Sequence, residues 1–136
     1  MIPAPALSVT LSTPHAGARP VVATLRARYE MQCGWPGPGS LVIRLPAGML
    51  PAHVPAASVL VNGTRATAVS SSTVQRRVAV ALPPRPQVMC DSIGPGMLTV
   101  VFTRAARIGN PRAAGSYVVR ATHAADRFSG KLVIRP

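Results

Sequence analysis

The chain has 136 residues, which is enough for one domain with a single hydrophobic core and too few for two. Hydrophobic residues make up 48% of the sequence, a fraction that favours a folded chain over a disordered one, and no apolar run is long enough to span a membrane. Fifteen basic residues against three acidic ones give a net charge of +12, which excludes chemistry that needs many carboxylates and favours contact with polyanions.

Short runs in which apolar and polar residues alternate predict strands with one buried face and one solvent-exposed face. Proline- and glycine-rich segments separate the runs, and a short helical turn is expected around 51–57. The dipeptide Asn62-Gly63 predicts a tight hairpin turn, because both residues tolerate a positive φ. In chain order, the predicted strands cover 7–12, 21–29, 41–45, 59–61, 64–67, 78–82, 98–103, 117–122 and 131–135.

Strands at this spacing, with no long helical pattern, predict an all-β fold. The specific expectation is a single immunoglobulin-like antiparallel β-sandwich of about 7–9 strands. Residues 1–6 are expected to form an N-terminal tail and residues 7–136 the sandwich. The tail lacks the basic and apolar regions of a signal peptide.

Five stretches between Ser8 and Thr122 carry a family resemblance. They are Ser8–Ser12, Leu45–Pro51, Val59–Gly63, Arg107–Pro111 and Ala114–Tyr117. In this order they resemble the immunoglobulin-like sandwich modules that recur in exported surface proteins of thermophilic Gram-positive bacteria. The resemblance implies a structural role and an extracellular or cell-surface location, and it supplies no catalytic residues.

Groups for acid–base chemistry are scarce, since Glu30, Asp91 and Asp126 are the only acidic side chains. A glycosidase-like site would require two of them to converge, and Glu30 and Asp91 are the pair expected at one end of the sandwich. Pairing with arginine is the other role expected for these acids. Ser129, His123 and Asp126 are close in sequence, but no nucleophile elbow accompanies them.

The three histidines, His15, His53 and His123, are far apart and lack the spacing of a metal site. No phosphate-binding glycine motif is present. We therefore predict a protein that is not an enzyme and binds no cofactor or metal.

The two cysteines fall in segments expected at the same end of the sandwich. Cys33 follows the second predicted strand and Cys90 follows the sixth, and these two loops meet if the strands alternate in direction. We predict a Cys33–Cys90 disulfide if the protein reaches an oxidising compartment, and two free thiols in a reducing one.

Several arginines alternate with apolar residues and should face solvent. Adjacent strands would gather some of them into a basic stripe, which is either a solvated face or an anion-binding surface. Few aromatic residues are available for base stacking, so nucleic acid is less expected as a partner than an anionic cell-wall polymer or glycan. The residues of this predicted face are Arg26, Arg28, Arg44, Arg120 and Arg135.

The sequence thus predicts a non-catalytic structural or adhesive module of a bacterial surface or fibre protein. Its expected partners are other copies of itself or neighbouring surface modules. Terminal strands near Leu7 and Leu132 would offer edges for self-assembly. The alternative is a polyanion-binding protein that uses its arginine-rich face.

Overall fold

The structure is a computed structural model that describes residues 6–33, 35, 39–84, 92–124 and 126–136. It confirms the all-β prediction. Two 3-10 turns, Ala56–Ser58 and Arg104–Ala106, are the helical elements of the described part. The strands are β1 (Leu7–Leu11), β2 (Ala23–Gln32), β3 (Ser40–Arg44), β4 (Val59–Val61), β5 (Thr64–Arg65), β6 (Val69–Ser72), β7 (Arg77–Ala81), β8 (Ile93–Phe102), β9 (Gly115–His123) and β10 (Asp126–Ile134).

These strands form two five-stranded sheets. The first sheet has the order β1-β2-β8-β4-β5, and the second has the order β10-β9-β3-β7-β6. Every pairing within the sheets is antiparallel. β3 pairs with β7 and not with the next strand, because β4 belongs to the opposite sheet. This strand order establishes two antiparallel sheets, and the immunoglobulin-like subtype stays a prediction.

The described residues contain ten strands, one more than the upper end of the predicted number. The additional strand is β6, whose sequence Val69-Ser70-Ser71-Ser72 has a single apolar residue and shows no alternation. β6 forms because β7 provides a hydrogen-bonding edge for it, a contact that depends on tertiary structure.

The two sheets bury their inward-facing residues against each other. These side chains are mostly Val, Leu, Ile and Ala, with Phe102 and Phe128 as the buried phenylalanines. Burial of this apolar surface is the main stabilising term of the fold. Period-two alternation explains which side chains are buried. Val78 and Val80 are buried, whereas Ala79 between them is partly exposed.

Asn62 and Gly63 connect β4 to β5, with φ values of 48° and 83°. The Asn62 side chain also reaches the neighbouring strand, where its Oδ1 accepts a hydrogen bond of 2.8 Å from the Thr99 amide. The turn therefore closes the hairpin and ties it to β8.

The terminal strands β1 and β10 are the outermost strands of their sheets on one side of the sandwich, and they lie against each other there. Their use in self-assembly stays a prediction. Isolated parallel bridges join Ala6 to Ser129 and His15 to Arg135, at the two ends of the β1–β10 contact. Residues 1–5 of the predicted tail lie outside the described residues. On the other side of the sandwich, β5 and β6 are the outermost strands of their sheets.

Candidate anion-binding groove

Three arginines stand side by side on the outer face of the second sheet. The register places Arg77 of β7 directly opposite Arg44 of β3, and Arg44 directly opposite Arg120 of β9. Ser72 and Ser129 continue this line to the outer strands. Residues opposite each other point to the same side of an antiparallel sheet, so the three guanidinium groups share one exposed face. We call Arg44, Arg77 and Arg120 the arginine row.

This arrangement is electrostatically unfavourable without a counter-charge. Like charges directly opposite each other destabilise a strand pair. Neighbouring strands lie about 4.8 Å apart, so the backbones of the three arginines fall within about 10 Å of one another. Within the described part of the chain, no side chain pairs with or accepts a hydrogen bond from any of the three arginines. Their donors are available to an external anion.

A groove of about 730 Å³ lies beside the arginine row. Arg44 and Arg120 from the row line it, together with Arg76 from the β6–β7 turn and Arg112 from the loop before β9. The remaining wall is largely small and aliphatic. It comprises Leu45, Pro46, Ala47, Val74, Pro111, Ala113 and Val118, with Gln75 and Tyr117 as the other lining residues.

Two smaller depressions extend the groove. One of about 560 Å³ shares Ala47 and Arg112 with it and adds Arg19. The other, of about 290 Å³, shares Arg44 and Arg120 and adds Arg127. The described residues that line the three depressions include no carboxylate. We use the term arginine groove for this surface as a whole.

Arg19 differs from the other arginines of the groove because it is held in place. Its Nη2 donates a hydrogen bond of 2.5 Å to the Gly48 carbonyl oxygen. Its guanidinium also occupies the space that a β-carbon on Gly109 would need. A glycine at 109 therefore leaves the space that the Arg19 guanidinium occupies.

The predicted basic face is divided between the two sheets. Arg26 and Arg28 project from the outer face of the first sheet, whereas Arg44 and Arg120 project from the second. Arg135 follows β10, where its backbone bonds to Pro14 and Ala16. Two of the five predicted arginines thus belong to the arginine groove.

Sequence reasoning missed five arginines of the row and the groove, namely Arg19, Arg76, Arg77, Arg112 and Arg127. Period-two alternation would have placed Arg77 outward if the predicted strand had begun one residue earlier. Arg76 and Arg112 lie in connecting segments, which have no periodicity from which a direction can be inferred.

The two described acidic residues, Glu30 and Asp126, do not line the groove. Glu30 is near the end of β2 and Asp126 begins β10, which places both at the end of the sandwich opposite the Arg112 loop. Asp91 lies outside the described residues. No group of three His, Cys, Asp or Glu side chains that could hold a metal is found in the part of the chain that the structure describes.

The Ser129, His123 and Asp126 combination is not assembled. Ser129 is exposed on the outer face of the second sheet, whereas His123 is only 6% exposed and points inward. His123 lies beside Tyr29, with Nδ1 at 3.5 Å from the tyrosine hydroxyl. His15 and His53 are exposed in separate loops.

Cys33 follows β2 directly, and its amide donates a hydrogen bond of 2.9 Å to the Ser92 carbonyl oxygen. This bond extends the β2–β8 ladder and brings Cys33 next to a residue two positions from Cys90 in the sequence. Cys90 itself lies outside the described residues. The Cys33–Cys90 disulfide stays a prediction. The hydrogen bond between Cys33 and Ser92 places the described start of the segment after Cys90 beside Cys33.

Helices long and apolar enough to cross a membrane are not found among the described residues. No protein-family model and no curated protein sequence matches the chain. The fold is similar to the crystal structure of BslA, a bacterial hydrophobin, with a TM-score of 0.60 and 17% sequence identity. This similarity covers 97% of the present chain and 98% of the BslA chain, so the two share their fold along the whole length.

Proposed function

We propose that this protein is a non-catalytic structural module of a bacterial surface or extracellular layer, and that the arginine groove attaches it to an anionic polymer of that layer. The observation that carries the proposal is the arginine row, three exposed guanidinium groups in register with no counter-charge from the described residues. A surface that retains such repulsion is suited to binding an anion.

The similarity to a bacterial hydrophobin supports the structural part of the proposal, because it extends over nearly the whole of both chains. The described surface is not a continuous apolar layer. Its exposed large apolar side chains are spread over both sheets and the β6–β7 turn, and they do not form one patch. These residues are Val74, Ile93, Met97, Val118 and Val133.

The positions of the acidic groups support a non-catalytic role. Glu30 and Asp126 lie outside the arginine groove, and the groove holds no described histidine or carboxylate that could move a proton. We therefore expect binding without turnover.

Binding to a polyanion at rising salt tests the attachment. The affinity for heparin, used as a generic polyanion, should fall steeply with salt concentration. A triple substitution of the row, Arg44→Gln, Arg77→Gln and Arg120→Gln, should reduce the slope of log affinity against log salt by about one unit per arginine.

A matched control removes the same charge from the other sheet. Arg26, Arg28 and Arg65 are exposed on the first sheet, so replacing them by Gln lowers the net charge equally and leaves the groove intact. An equal loss of heparin binding in both triple variants would show that net charge and not the groove is responsible. Wild-type protein that does not bind heparin at low salt would refute the attachment altogether.

A further inference from the structure

We infer that the arginine groove binds an acidic polysaccharide with carboxylate groups, and that the polymer crosses the strands of the second sheet along the arginine row. The inference rests on the proposed function, since it specifies the anion that the same groove receives. It follows from the spacing of the row, the type of cation and the character of the groove wall.

The spacing of the row suits a linear chain of sugars. Arg77, Arg44 and Arg120 come from three adjacent strands, so successive arginines leave the sheet one strand spacing apart, about 4.8 Å. This distance is close to the length of one sugar ring in an extended polysaccharide. A chain that lies across the strands would therefore present its acidic groups to successive arginines.

The cations of the groove are all arginine. Arginine offers a planar fork that binds the oxygens of a carboxylate or a phosphate through two parallel hydrogen bonds, whereas lysine acts as a point charge. Lys131, the only lysine of the sequence, is absent from the lining of the three depressions. The guanidinium groups of the row have no described acceptor, so their forks are free to receive carboxylates.

The groove wall is less suited to nucleic acid. Single-stranded nucleic acid is usually bound by aromatic side chains on which bases stack. Tyr117 is the only described aromatic residue that lines the main groove, and its hydroxyl donates a hydrogen bond of 2.6 Å to the Ala113 carbonyl oxygen. The 3-10 turns of three residues are too short to enter a major groove as a recognition helix.

Small aliphatic groups complete the surface. Ala47, Ala113 and Val118 lie among the arginines, and Val74 is 89% exposed at the rim. These groups can pack against the C–H faces of sugar rings while the guanidinium groups hold the acidic substituents. A wall of this kind combines apolar surface with positive charge, which suits an acidic polysaccharide.

The test compares four probes on the same protein by isothermal titration calorimetry. They are polygalacturonate, the same polymer with its carboxylates methyl-esterified, single-stranded DNA of matched charge, and neutral dextran. We expect binding to polygalacturonate, at least about tenfold weaker binding to the esterified polymer and dextran, and weaker binding to DNA at equal salt.

Variants then assign the site. Substitution of the row by Gln at positions 44, 77 and 120 should weaken polygalacturonate binding about tenfold, whereas the Arg26, Arg28 and Arg65 control should change it little. Circular dichroism and thermal melting should show that both variants are folded, since all six side chains are exposed.

The outcomes separate the inference from the proposed function. DNA that binds as tightly as polygalacturonate, or tighter, would overturn the polysaccharide inference and leave a polyanion-binding groove in place. Esterified polymer that binds as well as the acid form would overturn the role of the carboxylates. Absence of binding to heparin, polygalacturonate and DNA alike would overturn both.

Discussion

The carbonyl oxygen of Leu7 occupies the space that a side chain on Gly130 would need. Leu7 begins β1 and Gly130 lies in the middle of β10, so this contact joins the edges of the two sheets. The nearby Ala6–Ser129 bridge shows that the backbones meet there. Gly130 is thus the residue that allows the sandwich to close on the side of its terminal strands.

Gly130→Ala should destabilise the protein by about 2 kcal/mol or more, because the new methyl group meets backbone and cannot be accommodated by rotation of a side chain. The free energy of unfolding in urea measures the effect. Gly94→Ala is the matched control, since a β-carbon at Gly94 meets no heavy atom within 4 Å. It should leave stability unchanged or raise it by up to about 1 kcal/mol. Equal stability of the two variants would show that β1 and β10 do not approach as closely as described.

Asn110 should contribute to stability through the loops it joins. Its amide group donates hydrogen bonds of 2.8 Å to the carbonyl oxygens of Thr13 and His15, and the side chain is buried. Asn110→Ala leaves both carbonyls without this donor, so we expect a loss of about 2–3 kcal/mol in urea unfolding. Thr13→Ala keeps the carbonyl oxygen and should cost less than about 0.5 kcal/mol. A small effect of Asn110→Ala would mean that water replaces the amide.

The parts of the fold that could be predicted from the sequence are those with a local cause. Alternation places Val78 and Val80 in the core because strand geometry turns successive side chains to opposite faces. The Asn62-Gly63 turn has a local cause as well, since the backbone there needs positive φ.

The arginine row could not be predicted because its cause is not local. Arg44 meets Arg77 and Arg120 only because β3 lies between β7 and β9, and those strands are distant in the chain. A sequence pattern shows that an arginine faces outward, but it does not show on which sheet or beside which neighbour. Arg26 and Arg28 illustrate the point, since they have the same alternation and lie on the opposite face of the sandwich.

The outer edge of β6 is the place where a second copy would add by strand pairing. The Ala81 amide bonds to the Ala68 carbonyl oxygen, and antiparallel alternation then directs the backbone groups of Val69 and Ser71 away from β7. Ser71→Pro removes only an outward donor, so if copies associate through this edge, it should abolish that association without unfolding the protein. Ser70→Pro, which removes a donor to β7, should lower stability as well. Sedimentation at increasing concentration checks both, and unchanged oligomers in Ser71→Pro would rule out this edge.

The predicted Cys33–Cys90 bridge should be present in protein isolated without reductant. Intact-mass measurement should show the loss of two hydrogens relative to the reduced chain. Reduction should then lower stability by up to about 4 kcal/mol, because the bridge closes a long loop in the unfolded chain. Cys33→Ser combined with Cys90→Ser should match the reduced protein. Two thiols that react with iodoacetamide in the native, unreduced protein would contradict the bridge.

Tyr29 should make stability depend on pH in the alkaline range. Burial raises the pKa of Tyr29 from 10.0 to about 12, and the negative charge of Asp126 adds to the effect. The folded state therefore keeps the phenolic proton at a pH where the unfolded chain has lost it. The stabilisation from this group is complete below pH 10.0 and is lost as the pH rises toward about 12.

Tyr29→Phe isolates this contribution. The ring can still pack against Phe128, whose centroid lies 5.0 Å away, but the group that titrates is removed. The unfolding free energies of the wild type and Tyr29→Phe are compared from neutral pH to about pH 12. Above pH 10.0 the wild type should lose stability relative to the variant. Asp126→Asn should leave the onset near pH 10.0 and make the total change smaller, because the pKa of Tyr29 in the folded protein would then be raised less. A difference that stays constant across this range would mean that Tyr29 ionises as readily in the folded protein as in the unfolded chain.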